Sequence, residues 1–441
     1  MGLDLKNTEK IYGNAYSRFH TKPFLSCYTF NMRLLIISQF FPPETNAAAH
    51  RIGFLAEKLS ENKDNDVTVI CEPPNYPKGV LFDGYKNSLF SAEKKGNITI
   101  IRSWVRITAR RDFINRIVTY FSFFFSGLLA GTRVPKPDVV FASAPPLPVL
   151  FSGFIISKLR GVSLVSEVRD IWPDSVVAVG MMKKGVLFKI LESCEKTVYR
   201  GSSAVIVNAD GIRRRLIKDK GVSPEKTVVI RNGADLDLFS GAPNPNIIDE
   251  QYGTKNKFVV LFSGLIGLAQ SPEVVIRAAE LLRGEEDVVF MLVGEGVLKK
   301  QSEETAKQFG LKNVIFAGER PRSDMPMFCA RAGVGLATYK KSDLFRDVIP
   351  SKIYDYMGAG IPVIINLEGE GSRLVKEAEC GLVAEEENPE SLAEKIMEIK
   401  NNSARARDMG ARGRKYAEKH LNKAKLAAKL EKILESKARG A

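Results

Sequence analysis

The feature that most constrains this chain is an alternation of short apolar, β-branched runs with helical stretches, and it occurs twice. The first series runs 33–38 (RLLIIS), 67–71 (VTVIC), 98–102, 138–142, 163–168, 204–208 and 227–231. These runs are almost continuously apolar, as strands are when helices cover both faces of a parallel sheet. Residues 241–257, with Pro243 and Pro245 among several Asn and Lys residues, break the pattern and read as a linker. A second series follows at 258–263, 288–293, 314–317, 334–337 and 362–365. The fold class this predicts is α/β, with two consecutive doubly wound, Rossmann-like domains at 32–240 and 254–403. Ligands of such sheets bind beyond the carboxyl ends of the strands, so the site is expected in a cleft between the domains. Residues 404–441 read as basic, amphipathic C-terminal helices. Residues 1–31 lack the apolar core and cleavage site of a signal peptide and read as a disordered N-terminal extension or an upstream start.

Composition narrows the function. A formal charge of +14 and a pI near 9.4 imply an acidic partner: anionic lipid, nucleic acid or a phosphorylated substrate. No RNP pattern or zinc-finger spacing accompanies the charge, so nucleic acid is not expected. Cys27, Cys71, Cys194, Cys329 and Cys380 show no CxxC spacing, which favours free thiols in a reducing cytoplasm over disulfides or a metal site. His20, His50 and His420 are the only histidines, a poor supply for a Ser-His-Asp triad or a His-rich metal centre.

The most informative stretch is 344–364, LFRDVIPSKIYDYMGAGIPVI. It reads as a polar loop, a helix opening near Pro350 and Ser351, a Gly358-Ala359-Gly360 stop and a buried strand. A helix N-terminus presents unpaired N–H groups and a partial positive charge, an anion site with Ser351 and Lys352 beside it. Asp347 precedes this helix and Asp355 lies eight positions later, an arrangement suited to the hydroxyls of a nucleotide sugar. Taken alone, acids at this spacing are more often a solvated loop acid and a helix-surface acid.

At this point the sequence resembles a family, the retaining GT-B glycosyltransferases of family 4. Their signature has Glu, seven residues and Glu before an A-M-A-x-G-x-P-V run, and here Asp347 and Asp355 take the acid places ahead of Tyr356-Met357-Gly358-Ala359-Gly360-Ile361-Pro362-Val363. The resemblance implies a GT-B fold and a nucleotide-sugar donor in the C-terminal domain, with Asp355 on the ribose and Asp347 near the donor sugar. Ser263-Gly264-Leu265-Ile266-Gly267 follows a strand and precedes a helix, where Gly264 and Gly267 would let backbone N–H groups approach a diphosphate. The family adds Arg and Lys in this loop, but here Leu265 and Gln270 are the nearest residues, which leaves Lys352 and Arg346 as the available cations. Leu292-Val293-Gly294-Glu295-Gly296 resembles the family's nucleoside-contacting L-V-G-x-G, and Ala317-Gly318-Glu319-Arg320 the loop that receives the base. Residues 229–235 and Phe239 resemble the family's V-I-P-N-G-V-D-x-x-x-F at the end of its first domain.

In the first domain, 39–49 (QFFPPETNAAA), 74–79 (PNYPKG) and 167–174 (EVRDIWPD) are similar to the subgroup that assembles bacterial surface polysaccharides. Arg169 and Asp170 are expected in the cleft, Asp170 among the catalytic residues. Glu44 and His50 are acceptor-side candidates, although a lone His near a helix start is more often structural. Residues 117–132 (IVTYFSFFFSGLLAGT) are uncharged, shorter than the ~20 needed to span a bilayer, and preceded by Arg102, Arg106, Arg110, Arg111 and Arg116. A buried helix covering the sheet is the first expectation there, and one lying on an anionic membrane the second.

The resemblance implies a retaining glycosyltransferase moving a sugar from a UDP-linked donor to a lipid-linked or saccharide acceptor, and the basic charge and arginine cluster place it at the inner face of the cell membrane as an expectation. No cofactor or metal is expected. The alternatives are a nucleotide-sugar epimerase of the same fold, disfavoured by the scarcity of histidine, a non-catalytic UDP-binding scaffold, and a basic nucleic-acid-binding protein.

Overall fold

The computed structural model describes residues 31–110, 113–178, 180–241 and 243–440. The N-terminal extension read at 1–31 therefore lies, apart from Asn31, outside the described residues, as do His20, Cys27 and Arg111.

Among the described residues, the first sheet has eight strands: β1 (Met32–Ile37), β2 (Asn65–Cys71), β3 (Phe90–Lys95), β4 (Ile98–Ser103), β5 (Val139–Ala144), β6 (Ser163–Val168), β7 (Ala204–Val207) and β8 (Thr227–Val229). Their order is β3-β4-β2-β1-β5-β6-β7-β8, parallel except for β3. The helices α1 (Ala47–Glu61), α2 (Phe113–Arg133), α3 (Leu147–Arg160), α4 (Asp174–Ala178), α5 (Val186–Gly201) and α6 (Asp210–Lys220) alternate with them, and α7 (Asn246–Tyr252) follows β8. The second sheet comprises β9 (Phe258–Ser263), β10 (Val288–Val293), β11 (Val314–Gly318), β12 (Val334–Ala337), β13 (Val363–Ile365) and β14 (Gly381–Val383), all parallel in the order β11-β10-β9-β12-β13-β14. Its helices are α8 (Pro272–Leu281), α9 (Lys299–Gln308), α10 (Met325–Arg331), α11 (Ser351–Ala359), α12 (Glu370–Glu377) and α13 (Pro389–Lys400). Two long helices, α14 (Ser403–His420) and α15 (Lys423–Arg439), close the chain.

The apolar runs form the sheets because both faces are covered. Leu34 and Ile36 pack with Ile52 and Leu55 of α1, while Leu35 and Ile37 pack with Phe123 of α2 and Leu150 of α3. α15 crosses back to the first sheet, where Leu430 and Leu434 are fully buried beside α1. Burial at ~1.5–3 kcal/mol per side chain is enough to hold a helix whose propensity alone would not. The crossover is pinned where Ala234 donates to the Leu421 carbonyl at 2.7 Å and accepts from Lys423 at 3.1 Å. Gly233 (φ +72) allows this, since a Cβ there would lie 2.7 Å from the Leu421 carbonyl oxygen.

Three sequence readings change. The linker 241–257 contains α7, whose Ile248 is buried and whose Asp249 pairs with Arg331 of α10. β3 was not expected because FSAEKK is an almost wholly exposed antiparallel edge, without the apolar run that marks a covered strand. α2 is not a fully buried helix: Phe123 and Ala130 face the core, while Ile114, Phe121 and Phe125 are exposed. No described helix is long and apolar enough to cross a membrane. The described cysteines, Cys71, Cys194, Cys329 and Cys380, are free thiols.

Candidate active site

The loops after the carboxyl ends of both sheets face one another across the crevice between the domains, where the Thr45 hydroxyl donates to Glu319 and Arg215 pairs with Asp347, and the strand order switches between β1 and β5 and between β9 and β12. α11 opens at Pro350 without a side-chain cap; the Ile353 N–H donates to the Pro350 carbonyl at 3.1 Å, and the Ser351 and Lys352 amides ahead of it have no intrahelical partner, with Ser351 exposed there. Gly360 (φ +71) ends the helix by donating to the Met357 carbonyl.

Lys352 does not reach solvent. Its ammonium lies 3.5 Å from the centroid of the Phe262 ring, at the end of β9, with no hydrogen-bond partner. Burial pushes its pKa down to about 7. Around the same strand ends, Gln270 Oε1, Ser271 Oγ and Asn366 Nδ2 are also buried without partners. Each such atom costs ~1–3 kcal/mol when left unpaired, which makes these four candidate contacts for a polar ligand. Ser271, fully buried and in the left-handed region (φ 44), precedes α8 but does not cap it.

The glycine loop differs from its sequence reading. Gly264 (φ +101) donates to the Val293 carbonyl at 2.8 Å and Ile266 donates to Glu295 at 2.9 Å, so these amides tie two loops together. Leu265 and Gly267 are the alternate amides, outside that ladder. α8 begins only at Pro272, so no helix dipole stands at 264–267. Gly294 and Gly296 serve loop packing: a Cβ on Gly294 would fall 1.9 Å from the Gly264 carbonyl oxygen, and one on Gly296 2.2 Å from that of Ile266. Arg320 donates to the Ala317 carbonyl at 3.1 Å and to the Tyr252 hydroxyl, which makes it a brace for the loop after β11.

The two acids both meet arginine. Asp355 takes a bidentate pair from Arg322 at 2.7 and 2.9 Å within the second domain. Asp347 bonds Arg215 of α6, and Arg214 approaches it at 3.7 Å, both from the first domain. The domains touch closely here, because a Cβ on Gly211 would sit 2.5 Å from Asp347 Cα. Arg214 and Arg231 also reach Glu370 of α12, at 3.5 and 3.7 Å. Arg346 is a correction: it turns outward to Glu386 (2.5 Å) and Asp343 (3.2 Å) and is not available to a diphosphate.

On the first-domain side, His50 of α1 lies where burial, then Arg322 and Lys423, push its pKa down to about 4 while Asp355 opposes them. Glu44 accepts from the Asn75 and Tyr76 amides at 2.9 and 2.8 Å, and its other oxygen is buried without a partner. Burial raises its pKa to about 7 against those amides. Arg169 is buried, 3.5 Å from Glu167, with Nε and one terminal nitrogen unbonded, and burial pulls it down to about 10. Burial would raise Glu167, but Arg51 at 2.6 Å, Arg169 and the Ser143 hydroxyl hold it below its ordinary value. Asp170, raised by burial, is held by the Ser175 hydroxyl and the Ile171 N–H.

Residues 47–233 match the glycosyl transferase 4-like domain, and residues 245–416 match the glycosyl transferases group 1. Solved structures align over nearly the whole chain. Anabaena Alr3699/HepE in complex with UDP and glucose has a TM-score of 0.70 at 17% identity, covering 92% of this chain and 100% of that one. Sucrose-phosphate synthase from Thermosynechococcus elongatus has a TM-score of 0.74 at 16% identity, covering 93% and 100%. This chain is a glycosyltransferase of the GT-B type. Among curated proteins, WcaI of Escherichia coli (strain K12), named as a colanic acid biosynthesis glycosyl transferase, is 26% identical over 346 residues, 76% of this chain and 84% of its own. WbjE of Pseudomonas aeruginosa, named as a glycosyltransferase, is 27% identical over 286 residues, 63% of this chain and 70% of its own. The glycosyltransferase is thus related to those of surface polysaccharides.

In this glycosyltransferase the arginines and the second lysine of the crevice were not found from sequence. Arg322 stands 33 positions before Asp355, Arg215 stands 132 before Asp347, and Lys423 is the first residue of α15. No spacing rule links such pairs. Only the doubly wound topology, which gathers strand and helix ends at one crevice, could have pointed to them.

Proposed function

We propose that this glycosyltransferase moves a sugar from a UDP-linked donor, with retention of the anomeric configuration, to a lipid-linked or saccharide acceptor in surface glycan synthesis. The observation that carries the reading is the set of buried, unpaired atoms around Lys352, Gln270, Ser271 and Asn366 beside the open end of α11. A diphosphate answers it: oxygens for the ammonium, the Asn366 amide, the Ser271 hydroxyl and the free amides of Leu265 and Gly267. The relation to polysaccharide glycosyltransferases and the UDP complex of Alr3699/HepE support the same donor class.

As the bond from the anomeric carbon to the diphosphate breaks, negative charge grows on the departing oxygens. Lys352 and the α11 dipole stabilise it in a site already stripped of water. The acceptor hydroxyl attacks the anomeric carbon from the face that the diphosphate leaves, and its proton passes to the departing phosphate oxygen, so no protein base is needed. Asp355, oriented by Arg322, holds the ribose, and Asp347 orients the donor sugar. Asp170, Arg169, Glu44 and His50 line the acceptor side. The scheme asks for no metal or cofactor, and the chain works at the cytoplasmic face of the cell membrane, drawn there by its arginine-rich segment.

A thermal-shift panel of UDP-, GDP- and ADP-sugars tests the donor. Stabilisation by the UDP series alone is expected, and a preference for another base, or none, would reject this donor. Product anomer analysis by NMR tests retention.

A further inference from the structure

The outer face of α2 carries Ile114, Val118, Phe121, Phe125 and Leu129, spaced at helical intervals and all exposed, Ile114 at 72%. The opposite face packs Phe123, Ser126 and Ala130 against the sheet and α3, so this stripe is not left over from the core. A second apolar cluster stands at the start of α5, where Val186 is 77% exposed, with Leu187 and Ile190 beside it. Met181, just before α5, lies 4.0 Å from the Arg116 guanidinium of α2, which brings the two clusters together.

Both helices run antiparallel to the strands and so begin at the carboxyl ends of the first sheet, the crevice side. The segment entering α2 also borders the 74–79 loop that Glu44 holds, since a Cβ on Gly79 would fall 2.0 Å from the Thr108 carbonyl oxygen. The charge around the clusters has one sign. Arg106, Arg110, Lys183, Lys184 and Lys189 are exposed, residues 104–133 contain Asp112 as their one acid, and residues 175–191 contain none. Apolar side chains rimmed by cations fit the interface of an anionic bilayer, with carbons among the acyl chains and cations at the phosphates.

We propose that the exposed face of α2 and the start of α5 insert together into an anionic membrane surface, so that the mouth of the acceptor crevice opens onto the bilayer. A lipid-linked acceptor then enters along the membrane with its headgroup beside the 74–79 loop and Glu44. The lipid-linked acceptor rests on the functional reading above, whereas the membrane surface rests on the exposed residues alone.

The test is co-sedimentation of the full chain with vesicles of phosphatidylglycerol and phosphatidylethanolamine, or of phosphatidylcholine alone, alongside UDP-dependent thermal shift. Wild type is expected to bind the anionic vesicles and not the zwitterionic ones. The paired variants Ile114→Asp/Phe121→Asp and Val186→Asp/Leu187→Asp are each expected to weaken that binding by about tenfold or more, as is Lys183→Gln/Lys184→Gln. All three keep the UDP shift, which shows that they fold. Equal binding to both vesicles, or apolar variants that bind as wild type does, would overturn the proposal. So would a dimer in light scattering that Val186→Asp/Leu187→Asp dissolves, since the patch would then cover a second copy. Vesicle binding through these residues in a chain with no UDP shift would uphold the surface and reject the donor.

Discussion

Asp347 and Asp355 stand eight residues apart in one motif and both meet arginine, yet the arginines come from different domains. Arg322 belongs to the same domain as Asp355, and the pair stays intact however the domains move. Its guanidinium is held above its ordinary pKa, the Asp355 carboxylate outweighing burial. Arg215 and Arg214 belong to the first domain, so Asp347 is held only while α6 lies against it. One acid is therefore held within the second domain, and the other across the contact between the domains. That division fits a ribose held by the second domain and a donor sugar oriented where the domains meet.

Substitutions separate the roles of the two acids, and the largest effect is expected at the lysine between them. Lys352→Ala removes the buried charge from the leaving group, and turnover should fall by about 10²-fold or more. Steady-state kinetics unchanged from wild type would remove Lys352 from the mechanism. Asp355→Ala leaves Arg322 without its carboxylate, so the chain should lose roughly 2–3 kcal/mol of stability, read by denaturant unfolding, and bind UDP more weakly. Asp347→Asn should leave UDP affinity within about twofold but slow transfer by roughly tenfold, because only the oriented sugar is lost. If calorimetry shows both acid variants losing UDP equally, the division of labour fails. Arg215→Ala is expected to have the smallest effect, below about 1 kcal/mol in stability because the pair is part-exposed, with a few-fold rise in KM for the sugar donor and not for UDP inhibition.

How much of this could be read from the sequence follows from burial. β1, β9 and β10 were legible because strands covered on both faces must be continuously apolar, whereas β3 could not be, its residues facing water. α11 was legible from Pro350 and Gly360, whose backbone requirements are local. Side-chain direction was not. Arg346 and Asp347 are sequence neighbours in one 3-10 turn, with about 3 residues per turn, so they point about 120° apart and one leaves the crevice that the other enters. Lys352 was visible as a cation at a helix start, but not its seat on Phe262, ninety positions away. The glycines at 294 and 296 were read as ligand contacts because a sequence cannot distinguish a close-approaching ligand from a close-approaching loop.

Lys352 also provides the most direct test. With a folded pKa near 7 against the ordinary 10.5, the folded chain binds fewer protons than the unfolded chain between those values, so stability should rise with pH across that window. An arriving diphosphate reverses the bias by favouring the charged ammonium. Calorimetry of UDP binding at pH 8, in buffers of different ionisation enthalpy, counts the protons taken up. Uptake approaching about one proton is expected in wild type and none in Lys352→Met, with affinity falling toward tenfold per pH unit above 8 in wild type alone. UDP binding without proton uptake, or with the same uptake in both proteins, would show that the diphosphate does not sit on Lys352.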